Sequence, residues 1–277
     1  MQIGITCSNC GSELTITAPD KDLKEYLKNK SEQELDQERD VLAAISIELA
    51  KYYSSIEVTK PSIYLISEPE PSAMGITDRF YEWAFVTERF YNDKITDCSI
   101  LDVGSANTAL PSILASMGNR VTSVDIQRWQ ITWPGVTALQ LDLLKDEFPD
   151  TKKFDYAICI SAIEHFGLGR YNDTRSSDGD FEGMKVIRAA LKPRGKLIMS
   201  FPVGKPAIVF PAHRVYGPKR AEKLMEDFKI NDKRFFINHE GIPFARFECS
   251  EKEAFETETY LGNNPYYSLG CYFLEKR

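Results

Sequence analysis

The chain has 277 residues, 43% of them hydrophobic and 12% aromatic, with a formal net charge of −7. That length allows one large domain or one domain with an appendage, and the apolar share suits a chain that buries a real core. The acidic balance speaks against a nucleic-acid partner, which wants a basic stripe, and no run of about 18 apolar residues offers a transmembrane helix.

The N-terminus, MQIGITCSNCGSELTITAPD, has neither a basic n-region nor an apolar h-region. The expectation is a cytoplasmic protein that touches no membrane. Cys7 and Cys10 form a C-x-x-C followed by Gly11, like half of a zinc ribbon. A structural zinc site needs four ligands and no second pair follows, so no metal and a frayed terminus are expected. Cys98, Cys159, Cys249 and Cys271 stand singly and read as buried thiols. Ser31 and Glu34 match a capping box, and Val41, Leu42, Ile45, Leu49 and Tyr52 follow at helical spacing. Residues 1–60 therefore read as a helical N-terminal extension and 61–277 as the main domain, with Pro61, Pro69 and Pro71 as punctuation.

Residues 78–91, DRFYEWAFVTERFY, read as a helix with Phe80, Trp83, Thr87 and Phe90 on one face. Core packing is the favoured role for that face; a wall of a cofactor pocket is the other. From Cys98 strands and helices alternate. Strands are expected near 98–103, 120–125, 136–141, 154–161 and 195–201, and helices near 107–117, 128–131, 143–148 and 179–192. Alternation of this kind predicts a parallel sheet with right-handed crossovers and helices on both faces. A helix near 217–228 and a strand near 232–238 follow. The closing strand, near 266–276, comes straight from a loop and is expected to pair antiparallel with its predecessor.

In such a sheet, ligands bind outside the carboxyl ends of the strands. Each tip here is polar: Asp102, Gly104 and Ser105 on the first, Asp125 then Ile126 on the second, Asp142 then Leu143 on the third, Ser161 on the fourth. Gly104 allows a tight turn, and an acid about 20 residues beyond it, Asp125, suits ribose hydroxyls. That spacing serves NAD and S-adenosylmethionine alike. A dinucleotide fingerprint wants further glycines for close approach to a pyrophosphate, and GSANTA has Ala106 and Ala109 in their places. S-adenosylmethionine has no phosphate and carries cationic groups, so it suits a loop poor in glycine with three acids around it.

The ordered set ILDVGSANT, VTSVDI, LQLDLL, FDYAICIS and LKPRGKLIMSFP resembles the motif series of class I S-adenosylmethionine-dependent methyltransferases, over roughly residues 78–277. The resemblance implies a Rossmann-like, seven-stranded, mostly parallel sheet with an antiparallel last strand. It also implies that S-adenosylmethionine is the cofactor. Asp102, Gly104 and Ser105 would border its methionine part, Asp125 and Ile126 its ribose, Asp142 and Leu143 its adenine, with Ser161 nearby. The family usually has G-x-G-x-G where this chain has Gly104, Ala106 and Thr108.

ISAIEHFGLGRYND, residues 160–173, follows the fourth strand, where methyl acceptors meet the cofactor. A group of methyltransferase-like proteins carries a similar E-H-x-G-L-G-R-Y stretch, here Glu164 to Tyr171, and an H-R-x-Y stretch, here His213, Arg214 and Tyr216. A hydroxyl acceptor needs a base, and histidine is the usual one near neutral pH. Of three histidines, His165 is the first candidate, His213 the second, and His239 reads as structural. Glu164 would orient the base. Arg170, Tyr171, Arg214 and Tyr216 would bind a polar substrate. Asp173, Asp178 and Asp180 read as a solvated loop.

The expected activity is O-methylation of a small polar or carbohydrate acceptor, with a homo-oligomer left open. Two alternatives remain: a catalytically silent methyltransferase fold that binds a partner, and an NAD-linked oxidoreductase, which would want a better glycine fingerprint.

Overall fold

The computed structural model describes residues 2–6, 13–17, 62–65, 78–105, 108–128, 131–146, 153–238, 246–259 and 267–277. Cys7, Cys10, His239, Ala106 and the helices expected over 20–60 lie outside the described residues.

The main layer is an eight-stranded sheet. Five parallel strands form one side of it: β4 (Ser99–Val103), β5 (Arg120–Asp125), β6 (Val136–Gln140), β7 (Phe154–Ile160) and β8 (Leu191–Val203), in the order β8-β7-β4-β5-β6. On the far side of β8 lie β13 (Ser268–Lys276), then β11 (Phe228–Asn238), then the edge strand β12 (Arg246–Cys249). The last strand, β13, runs antiparallel to both of its neighbours. It enters without a crossover helix, so antiparallel pairing is the connection open to it. The sheet has one strand more than the expected seven. Residues 246–249 add to the edge of β11, which the sequence reading left as loop.

Strand residues alternate between two cores, as a two-sided sheet requires. Leu101, Val103, Ala157, Cys159, Leu197 and Met199 face α3 (Gly179–Ala190), α4 (Pro218–Leu224) and α5 (Glu251–Glu256). Ile100, Ile158 and Ile198 face α1 (Arg79–Asn92) and α2 (Leu110–Ser116). The buried stripe of α1 is Glu82, Phe85, Val86 and Phe90. It is rotated from the expected face, and Phe80 is 67% exposed. Each large apolar side chain fully buried on this face contributes about 1.5–3 kcal/mol. Of the helix expected near 143–148, the described residues 143–146 make a turn closed by bonds from Lys145 and Asp146 N–H to Asp142 O, and Arg128 and Ile131 are not helical.

A second, five-stranded sheet was not foreseen. It joins β1 (Gln2–Thr6), β2 (Glu13–Thr17) and β3 (Ser62–Leu65) to the hairpin of β9 (Ala207–Phe210) and β10 (His213–Val215). The described parts of residues 1–60 are therefore strands. Among the described residues, no helix is long and apolar enough to cross a membrane.

Candidate functional site

The tips of β4, β5, β6 and β7 open on one cleft. Gly104, Asp125, Ile126, Asp142, Leu143, Ser161, His165 and Tyr171, all read from sequence, line it. Arg79, Gln127, Phe166 and Asp173 line it too and were not foreseen as site residues.

Gly104 turns the chain at φ +74°, and its N–H donates to Val124 O at 2.8 Å. A Cβ here would collide with that of Ala162 across the cleft floor, so both the backbone angle and the close approach demand glycine. Just before it, Asp102 is 2% exposed and does not line the cleft, and its Oδ2 has no hydrogen-bond partner among the described residues. Burial pushes its carboxyl up to about 8, against the pull of Arg79. A carboxyl so placed gains by meeting a cation. Ser105 differs from expectation. It is 2% exposed, its hydroxyl bonds Ser123, and it does not line the cleft. Its hydroxyl ties the end of β4 to β5.

Asp125 Oδ1 accepts from Gln127 N–H at 2.7 Å, fixing the turn after β5. Asp142 Oδ1 accepts from Leu144 N–H at 2.9 Å, and Lys145 lies 3.3 Å from Oδ2. These are local caps, and both carboxylates lie on the rim of one cleft.

α1 supplies what was missed. Glu82 is fully buried and accepts from Ser200 Oγ at 2.7 Å, from Ser161 Oγ, and from Arg79 at 3.1 Å. Ser161 itself sits at φ +42°, its N–H donating to Ser200 O at 3.1 Å. Glu82 thus pins the tips of β7 and β8 to the helix. Arg79 also donates to Ile160 O at 2.9 Å, with its side chain 35% exposed toward the cleft. No local pattern separates an arginine at a helix start from a solvated one.

Beyond Ser161 the chain makes a 3₁₀ turn, Ile163–His165, then a long loop. His165 Nδ1–H donates to Ala212 O, which leaves Nε2 as the acceptor nitrogen. Nε2 stands 3.7 Å from Glu164 Oε1. Burial lowers His165 to about 4, and the guanidinium groups of Arg170, Arg79 and Arg214 pull the same way. Burial raises Glu164 to about 8, so that carboxyl is protonated at neutral pH, and its Oε2 has no bond among the described residues. His213 lies behind, its ring 6.3 Å from that of His165, lowered to about 3 by burial and by His165 and Arg170. It does not line the cleft.

Arg214 and Tyr216, expected to bind substrate, are turned away from the cleft. Arg214 is 2% exposed and donates to the carbonyls of Phe166 (2.5 Å), Ser176 (3.2 Å), Glu164 (3.3 Å) and Ser177 (3.4 Å). Tyr216 is fully buried and donates to Asp180 at 3.0 Å, where Arg220 also makes a two-pronged pair at 2.7 and 3.0 Å. A loop that turns inward must have its carbonyls satisfied from within the fold, and Arg214 donates to four of them at once. The two signatures are halves of one structure: H-R-x-Y clamps the loop that E-H-x-G-L-G-R-Y builds. Gly167, at φ +79°, lets Ser176 O approach where any side chain would clash. Asp173, read as solvated, accepts from Gly167 N–H (2.8 Å) and Tyr171 N–H (3.2 Å). Asp180 is fully buried, not part of a solvated run. Arg170 does not line the cleft itself; its guanidinium lies 5.3 Å over the ring of Tyr171, which does.

Among the described residues, no group of three or more His, Cys, Asp or Glu is placed to hold a metal ion. No curated protein matches the chain. Residues 123–256, a little under half of the chain, match the family model described as "Caenorhabditis protein of unknown function, DUF268". In structure the chain is similar to the N-methyltransferase NodS from Bradyrhizobium japonicum WM9, at 12% identity and TM-score 0.46, covering 71% of this chain and 96% of that one. It is similar to magnesium protoporphyrin IX methyltransferase from Synechocystis PCC 6803 with bound SAM, at 12% identity and TM-score 0.49, covering 76% and 87%. It is also similar to 1,6-didemethyltoxoflavin-N1-methyltransferase from Burkholderia thailandensis, at 13% identity and TM-score 0.43, covering 75% and 93%.

Proposed function

We propose that this protein is an S-adenosylmethionine-dependent methyltransferase that methylates a hydroxyl of a small polar or carbohydrate acceptor. The observation that carries the reading is the buried Asp102 carboxyl, with an oxygen that lacks a partner, behind a one-glycine turn and beside two more acids on successive strand tips. That set suits a cationic nucleoside. A pyrophosphate would want bare N–H groups at the start of α2, where Pro111 has none to give. The mostly parallel order with β13 antiparallel between β8 and β11 agrees with the resemblance drawn from the motifs, though the sheet has one strand more than that resemblance implies.

When bound, the cofactor supplies an electrophilic methyl group on a sulfonium. Asp102 would take the amino group of its methionine part and Arg79 the carboxylate. Asp125 would hold ribose hydroxyls, Asp142 the adenine edge, and Ile126, Leu143 and Leu144 would cover the base. His165, held in one tautomer by Ala212, would receive the acceptor's O–H proton on Nε2. Glu164 Oε1, 3.7 Å from Nε2, would orient the ring toward the acceptor. The clamped loop keeps these groups aligned, which is the largest contribution a protein makes to an in-line displacement.

Calorimetric titration with S-adenosylmethionine, S-adenosylhomocysteine and NADH tests the reading. Micromolar binding of both sulfur nucleotides and none of NADH is the expected result. Binding of NADH alone, or of neither sulfur nucleotide, rejects it. Binding without methyl transfer to any acceptor in a hydroxyl panel favours the silent fold.

A further inference from the structure

Asp125 and Asp142 stand at the nucleoside end of the cleft. At the other end Arg79 and Asp173 line it, and the guanidinium groups of Arg170, Arg79 and Arg214 all act on His165. Glu82 pairs with Arg79, Asp180 lies 3.9 Å from Arg214, and Asp173 accepts from two backbone amides.

Two of the three cations have protein partners. Arg79 bonds Glu82 and Ile160 O, and Arg214 is spread over four carbonyls. Arg170 has no ion pair or hydrogen bond among the described residues, only the face of Tyr171. The Tyr171 ring in turn meets the His165 ring edge-on at 5.7 Å. Stacking holds a guanidinium in place while leaving its donor edge open, the geometry that suits bidentate recognition of an oxyanion.

We propose that the methyl acceptor carries an oxyanion, a carboxylate or a phosphate, and that Arg170, stacked on Tyr171, receives it beside His165. This rests on the reading of His165 as the base. The anion has a second effect. It offsets the guanidinium field on His165, so a bound acceptor brings its own base toward a useful pKa. A neutral acceptor leaves Arg170 unanswered beside the imidazolium.

The test uses the full chain with isotope-labelled histidine, whose three signals are assigned with H165Q. The protonated fraction of His165 is read by NMR at about pH 5, with circular dichroism checking the fold. The probes are sodium sulfate, a tetrahedral dianion, and sodium trifluoroacetate, a planar carboxylate, against sodium chloride at equal ionic strength. The expected result is a saturable rise of about fivefold in that fraction, a shift of roughly one pH unit, with chloride inert. The more effective probe tells phosphate-like from carboxylate-like acceptors. R170Q removes the rise and leaves S-adenosylhomocysteine affinity unchanged. No saturable rise with either probe, or a rise that R170Q keeps, overturns the proposal. Loss of sulfur-nucleotide binding with the anion response intact rejects the methyltransferase reading alone.

Discussion

The nucleoside end of the cleft and its acceptor end are built in different ways. At the nucleoside end each side chain is set by its own neighbours: Asp125 by Gln127, Asp142 by Leu144, Gly104 by the turn it makes. At the acceptor end the main anchors are distant. His165 is oriented by Ala212, the loop carbonyls by Arg214, and Ser161 by Glu82, more than 35 residues away in every case. A local site tolerates change elsewhere in the fold; an assembled one fails when any distant partner is removed.

The largest effect that sharpens this contrast is expected from R214A. Removing a buried guanidinium takes away its bonds to four loop carbonyls, of which Ser176 and Ser177 keep Gly179 N–H and Arg220 as donors, and costs about 3 kcal/mol or more. Hydrogen exchange should show the 163–178 loop opening while the β4–β6 tips stay protected. Equal loss of protection at both ends would break the comparison. H165A, next in size, should lower kcat by about 10²–10⁴-fold and leave S-adenosylhomocysteine binding intact. Turnover that survives excludes His165 as the base. D125A should weaken cofactor affinity by about 10-fold or more, the worth of one hydrogen bond to a charged group, with little change in Tm. Unchanged affinity in calorimetry would remove Asp125 from the site.

The smallest effect is a pH slope. Asp102 titrates near 8 when folded and near 4 when unfolded, so the folded state holds the extra proton between those values. Stability therefore falls as pH rises through that window, and Glu164 adds to the slope in the same sense. Cofactor affinity moves the other way, rising toward about pH 8, because a cation favours the ionised carboxyl. D102N should flatten both, which chemical denaturation and calorimetry at several pH values will read. A slope unchanged in D102N assigns it elsewhere.

Much of the fold was legible because strand and helix patterning is written residue by residue. β4 to β8 and the antiparallel β13 were expected at nearly their observed positions, and the polar tips were found with them. The stripe of α1 was misread because its buried face includes a charged residue, Glu82, that hydropathy alone assigns to solvent. The β9–β10 hairpin and its pairing with β3 were missed because a strand pair of such sequence separation leaves no periodic trace.

The sequence by itself determined the order of elements, the glycine at the first turn and the acids along the cleft, since each depends on backbone geometry and side-chain type within a few residues. Only the tertiary structure decided that Arg79 and Glu82 join the site, that Arg214 and Tyr216 serve the loop, and that Arg170 is left open. Whether a charge faces a ligand, a carbonyl or water depends on which distant groups the packed core brings within hydrogen-bond reach.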